Sequence, residues 1–227
     1  MRKNNTYQMN NVLQEYHEFI RPYKDAIKLV KIKLEALDSD YGHLHSHSHN
    51  PIHQIINRVI SLDSILNKLA KRGYPTELEY ARDYLTDIAG IRVITYYQQD
   101  VYEVVRALKS CLDIVKERDY IKEPKPSGYR SYHLIVVVPI HYLKGVEYYP
   151  VEIQIRTLTM DCWANIEHQL HYKTLKDEFS DEISEKFQQF SEELNTIGLK
   201  MEALYTEQKE RNNENYEDFD DITLKMH

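Results

Sequence analysis

Apolar residues recur at helical spacing along the first forty positions. Leu13, Tyr16, Ile20, Ile27, Val30 and Leu34 fall near a 3.6-residue period, which predicts a helix over 7–37. Pro22 lies inside that stretch and marks a start or a kink. The polar run DSDYGHLHSHSHNPIH predicts a loop closed by Pro51. Beyond it, helical spacing predicts a second helix from Ile52 to Lys71, stopped at Arg72-Gly73 with Pro75 following. A third helix is expected from Pro75 to Leu85.

The period then changes. Ile91 to Tyr97 reads as a strand, Val101 to Cys111 as a helix and Leu112 to Tyr120 as a strand. EPKPSGYRSYH, with two prolines and a glycine, reads as a loop. Tyr132 to Ile140 and Glu147 to Arg156 are two strands with a short connection, most simply an antiparallel hairpin. Thr157 to Lys173 is helical again, with Trp163, Ile166 and Leu170 on one face. The remainder is a long polar helix or helix pair, where Ile183, Phe187, Phe190, Leu194, Ile197, Met201 and Leu204 have a/d-like spacing. The sum is an α+β fold, a mixed sheet of four or five strands flanked by N- and C-terminal helices. Three segments follow: a helix and His-rich loop over 1–50, a core over 51–175 and an acidic helical extension over 176–227.

Composition narrows the class. The 227 residues are 42% hydrophobic and 29% charged, a globular balance, with a net charge of −7. No apolar run approaches the roughly 20 residues of a membrane span, and MRKNNTYQMNN lacks the apolar core of a secretory signal. Cys111 and Cys162 are the two cysteines, which excludes a disulfide scaffold and suits a reducing, cytoplasmic setting. From Asp177 to Asp221 there are 15 acidic and 4 basic residues, so a basic body precedes an acidic tail. Within the body, Arg21, Lys24, Lys28 and Lys31 follow 3–4–3 spacing with Lys33 beside them. That stripe reads either as a solvated helix face or as a track for a nucleic-acid backbone.

Two stretches carry candidate chemistry. In VEIQIR, Val151, Ile153 and Ile155 face one way and Glu152, Gln154 and Arg156 the other. Asp87 precedes the strand of DIAGIRV, where Gly90 allows close backbone approach. Two carboxylates at the ends of strands in one sheet can hold Mg²⁺, which takes one or two carboxylates plus substrate phosphates. In KPSGYRSYH, Lys125, Arg130 and His133 offer phosphate donors, and Tyr129 stands beside Gly128 where a base can stack. Arg58, Arg92 and Arg118 add further cations. The chain has no GxxxxGK[ST], no GxGxxG after a strand, no HExxH and no GxSxG. His43, His45, His47, His49 and His53 alternate in a polar loop but fit no closed metal-site spacing.

DIAGIRV, KPSGYRSYH and VEIQIRTLTMDCWANIEHQLHYK, in this order and spacing, resemble the synthetase domain of RelA/SpoT-type proteins. EFIRPYKDAIKLVKIKLE and PIHQIINRVISLDSILNK before them are similar to the small alarmone synthetases, over about Glu15 to Lys173. The resemblance implies a nucleotidyltransferase-like synthetase fold that transfers the β,γ-pyrophosphate of ATP to a ribose 3′-hydroxyl. It implies Glu152 as general base and Mg²⁺ holder, and Asp87 as the main Mg²⁺ ligand. It sets Arg58 and Arg92 about the adenine, with Ser64 and Lys68 on the ATP phosphates. On the acceptor side it implies Tyr129 stacked on the base, Arg118, Lys125 and His133 at the phosphates, and Gln154 and Asp161 near the base. Arg130 and Arg156, in the same motifs, are assigned to acceptor binding. One position departs: where the family commonly reads R-V-K, this chain has Arg58-Val59-Ile60. A catalytically silent binding module is the reading Ile60 alone supports; intact Glu152, Asp87 and Tyr129 oppose it. Two acceptors stand open, GDP or GTP, giving (p)ppGpp, and the 3′ CCA end of tRNA in toxic members neutralised by an antitoxin. The second would use Arg21, Lys24, Lys28 and Lys31. Tetramers through terminal helices, typical of housekeeping members, are the assembly the resemblance implies.

Overall fold

The computed structural model describes residues 2–44, 49–173 and 181–224, with side chains over 12–43, 49–170 and 182–211. The elements follow in the order α1 (Arg2–Leu44), β1 (Ile52–Val59), α2 (Leu62–Lys71), α3 (Leu78–Tyr84), β2 (Ala89–Thr95) and α4 (Gln98–Cys111). After these come β3 (Ile114–Asp119), β4 (Tyr132–Tyr142), β5 (Gly145–Thr157), α5 (Leu158–Lys173) and α6 (Asp181–Leu224). Among the described residues no helix is long and apolar enough to cross a membrane.

The five strands form one mixed sheet in the order β1-β2-β5-β4-β3. Strand β5 runs parallel to β2 and forms the expected antiparallel hairpin with β4, while β1 and β3 are antiparallel edges. Alternation in β5 divides the sheet into two faces. Val151, Ile153 and Ile155 are fully buried with Ala89, Ile91 and Val93 of β2. Against them pack Tyr23, Ala26, Ile27, Val30 and Leu34 of α1 and Val101, Val104, Val105 and Leu108 of α4. Helix α1 thus continues through Pro22 and covers the face opposite Glu152 and Gln154.

The helix expected over 52–71 is two elements. Ile52, Ile55, Ile56 and Val59 satisfy helical spacing, but all four are β-branched and lose side-chain freedom in a helix. They form edge strand β1, whose alternation is disrupted by a register shift between Ile52 and Gln54. Helix α2 then starts afresh, with the Ser61 Oγ accepting from the Ser64 backbone N–H at 3.3 Å. Between them Ile60 is 7% exposed and packed in the core. The position where the resemblance expects a lysine therefore contributes packing here.

Candidate active site

Strand register brings the candidate residues to one face. Arg58 pairs with Gly90, Gly90 with Glu152, Arg92 with Gln154, Gln154 with His133, and His133 with Arg118. Partners directly opposite in a ladder point to the same side. Over this row opens a cavity of about 570 Å³ lined by Arg58, Asp87, Arg92, Lys125, Tyr129, His133, Glu152, Gln154 and Arg156. Its size suits a nucleotide-scale ligand.

Glu152 is the centre of a hydrogen-bonded chain. Its Oε1 lies 3.1 Å from His133 Nδ1, and its Oε2 accepts from Gln154 Nε2 at 2.7 Å. His133 Nε2 is 2.8 Å from the Tyr129 hydroxyl, which accepts from Arg156 Nη2 at 3.0 Å. Arg156 also donates to Gln154 Oε1, closing the ring. Burial pushes the Glu152 carboxyl up, but hydrogen bonds from His133 and Gln154 and the charges of His133 and Lys68 outweigh it. The net direction is below the usual glutamate value, so Glu152 is ionised at neutral pH. Burial raises the Tyr129 hydroxyl, with Arg156 opposing, so the ring stays a neutral phenol.

The loop is shaped for this. Gly128 N–H donates to Lys125 O at 2.8 Å across Pro126-Ser127, a turn with proline second and glycine last. The Lys125 ammonium lies over the Tyr120 and Tyr129 rings at 4.8 and 4.9 Å. On the other side of the cavity, Asp87 is ion-paired with Lys68. Arg92 donates to Asp161 at 2.9 Å and to Asn165 at 3.2 Å, and Asp161 also accepts from Arg156 at 3.3 Å.

The donor set fits magnesium at Asp87. The second oxygen of Asp87, Oδ1, is buried and without a hydrogen-bond partner, a buried acceptor that a cation would satisfy. Among the described residues there is no cluster of three or more His, Cys, Asp or Glu, so a transition-metal cage is unsupported. A cation that keeps phosphate and water ligands needs no such cluster, and Asp87 with Glu152 fits it. His45 and His47 lie outside the described residues; His49 is 2.8 Å from Asp100 and His53 3.0 Å from the Tyr96 hydroxyl.

Several expected site residues are elsewhere. Arg130, expected at the acceptor, lies outside the cavity lining and donates to Ile121 O and to Glu192 of α6. Arg118 is exposed on edge strand β3 and donates to Glu117 O, outside the cavity lining. Ser64 sits in the first turn of α2, bonded to Ser61, also outside the lining. The stripe Arg21, Lys24, Lys28, Lys31 lies on α1, behind the sheet, where Lys28 pairs with Asp25 and Lys31 with Glu35. Unanticipated are Ile56 on β1 and Ala164, Asn165 and His168 on α5. With Asp161, the α5 residues recur at i, i+3, i+4 and i+7, one helix face, and that spacing was the available signal.

Residues 57–177 match the model of a region found in RelA / SpoT proteins. The chain belongs to the RelA/SpoT family. The GTP pyrophosphokinase YwaC of Bacillus subtilis (strain 168) is 39% identical over 182 residues, covering 78% of this chain and 86% of that protein. The crystal structure of small alarmone synthetase 1 from Bacillus subtilis bound to its product pppGpp superposes with a TM-score of 0.78. It is 35% identical and covers 86% of this chain and 98% of the other. The same synthetase bound to AMPCPP gives a TM-score of 0.70 at 30% identity, covering 86% of this chain and 97% of the other. The cavity's charged side chains, from Arg58 to Glu167, all fall inside the matched RelA/SpoT region.

Proposed function

We propose that this chain is a pyrophosphokinase that transfers the β,γ-pyrophosphate of ATP to the ribose 3′-oxygen of GDP or GTP, forming (p)ppGpp. The observation that carries the reading is the ionised Glu152 at the middle of a nucleotide-sized cavity, flanked by an aromatic platform and fixed cations. The names of the relatives, one bound to pppGpp and AMPCPP, support the same substrates.

In this reading Glu152 accepts the proton of the 3′-hydroxyl as that oxygen attacks the β-phosphorus. The bond from the β-phosphorus to the α,β-bridging oxygen breaks, and AMP leaves. His133 and Gln154 hold the carboxylate oxygens in place, which makes the base preorganised. Arg58, Arg92 and Ile56 form the adenine side, with Lys68 at the triphosphate. Tyr129 stacks on the guanine, Lys125 and His133 meet the acceptor phosphates, and Gln154, Arg156 and Asp161 border the base. Asp87 and Glu152 would hold Mg²⁺, which would supply neutralisation of phosphate charge. Exposed Phe190, Ile197, Met201 and Leu204 on α6 support assembly of like chains through terminal helices.

The test offers ATP labelled on its γ-phosphate, with Mg²⁺, to GDP, GTP and deacylated tRNA in parallel. Label is expected in guanosine tetra- and pentaphosphate with one AMP released per transfer. Label confined to tRNA, or no transfer, overturns the reading. The ion-paired state of Lys28 and Lys31, and their place behind the sheet, favour guanine nucleotide as acceptor.

A further inference from the structure

Among the described residues helix α6 contributes none to the cavity, yet it grips the loop that carries Tyr129 from both sides. On one side of the tyrosine, the Gly128 carbonyl accepts from the Ser191 hydroxyl, a group only 4% exposed on a helix that is otherwise largely polar and solvated. On the other side, Arg130 donates to Glu192 Oε1 at 2.7 Å and to Ile121 O at 3.1 Å, with its side chain 10% exposed. The approach is close enough to involve backbone. A Cβ added at Gly128 would lie 2.8 Å from Ser191 Cβ and 3.1 Å from Gln188 Cα, and Gly128 has φ of +89°. Glycine is required there twice, for the turn and for the contact.

The same turn of α6 reaches α5. Trp163 Nε1–H donates to Phe187 O at 2.8 Å, and the indole lies 6.5 Å from the Tyr129 ring. Farther along, Glu202 accepts from the backbone N–H groups of Gln98 and Gln99 at the start of α4, at 2.9 and 3.1 Å. Tyr205 stacks on Tyr97 with ring centroids 4.6 Å apart. The helix is thus fixed to the domain at one station and holds the loop at the other.

We infer that α6 is the clamp of the acceptor loop, with Ser191 and Glu192 as positioning residues that set Tyr129 for the acceptor base. This deepens the functional reading and rests on Tyr129 being the base platform. Releasing the clamp frees the loop without touching the cavity's own side chains, so the acceptor alone is bound more weakly.

The experiment compares Ser191→Ala, Glu192→Ala and the double variant with wild type. Amide hydrogen exchange at residues 128–130 is read without nucleotide, and KM for GDP, KM for ATP and kcat are read with both. Exchange at 128–130 is expected to quicken while the amides of β2 and β5 keep their protection. KM for GDP should rise about three- to tenfold for each lost hydrogen bond. KM for ATP, and kcat at saturating GDP, should stay within about twofold, the mark of lost binding rather than lost chemistry. Unchanged exchange at 128–130 in the double variant overturns the inference, and so does a parallel rise of both KM values. A wild type that transfers nothing to GDP or GTP would instead sink the functional reading, leaving the exchange rates to decide the clamp. Trp163, the chain's single tryptophan, gives an independent signal, since its emission should shift in the double variant.

Discussion

The two halves of the cavity are held by different kinds of interaction. On the acceptor side, Tyr129, His133, Glu152, Gln154 and Arg156 bond to one another in a closed ring without any ligand. On the ATP side the cations are held by carboxylates, Lys68 by Asp87 and Arg92 by Asp161, and Arg58 stands exposed on an edge strand. A hydrogen-bonded ring fixes geometry; an ion pair at the mouth of a cavity stores a charge that a polyphosphate can claim. In the proposed reading, the acceptor half is thus built for positioning the attack, and the ATP half for exchanging partners when the triphosphate arrives.

Breaking the ring at its centre should have the largest effect. Glu152→Gln keeps the shape and a hydrogen-bonding oxygen but removes the base, and kcat should fall about 10²- to 10⁴-fold. GDP affinity by Trp163 emission should change little; a matching loss of affinity would mean that Glu152 binds rather than reacts. Next in size is a crossed pair. Tyr129→Ala removes the stacking platform, worth about 1–3 kcal/mol, and should raise KM for GDP roughly five- to hundredfold with KM for ATP unmoved. Arg58→Ala should do the opposite, raising KM for ATP alone. If both variants raised both constants together, the division of the cavity into halves would be wrong.

How far the sequence foretold this arrangement differs element by element. The β5 face was legible because VEIQIR alternates without interruption on a central strand, so period and burial agree. Strand β1 was not, because its apolar positions sit at helical spacing and its alternation is disrupted at an edge bulge. Arg130 shared a motif with Tyr129, and motif membership does not tell which way a loop residue turns. Helix α6 docks through Phe187, Ser191, Gly198 and Glu202, where Gly198 is so close to α5 that a Cβ would meet Thr159 Oγ1 at 3.2 Å. The apolar periodicity selects Phe187 but none of the other three, and it also selects Phe190, Ile197 and Met201, which are left exposed. A seam of small and polar residues leaves little hydrophobic signal, because close approach and specific bonds replace area.

The smallest expected effect concerns acidity and sharpens the contrast between the halves. The Glu152 pKa is lowered in the folded chain, so its ionised form stabilises the fold above the ordinary glutamate range. That contribution is lost as pH falls through the lowered folded value, where the carboxylate takes up its proton. Glu152→Gln removes the titration. The stability difference between wild type and this variant should thus be constant from neutral pH down to the ordinary glutamate range and shift against wild type below it. Urea denaturation midpoints of both proteins from neutral pH down to about pH 2.5, well below the ordinary glutamate value, measure it. Parallel midpoints through that whole interval would mean that His133 and Gln154 do not hold the carboxylate in its charged form, and the acceptor half would then be no more preorganised than the ATP half.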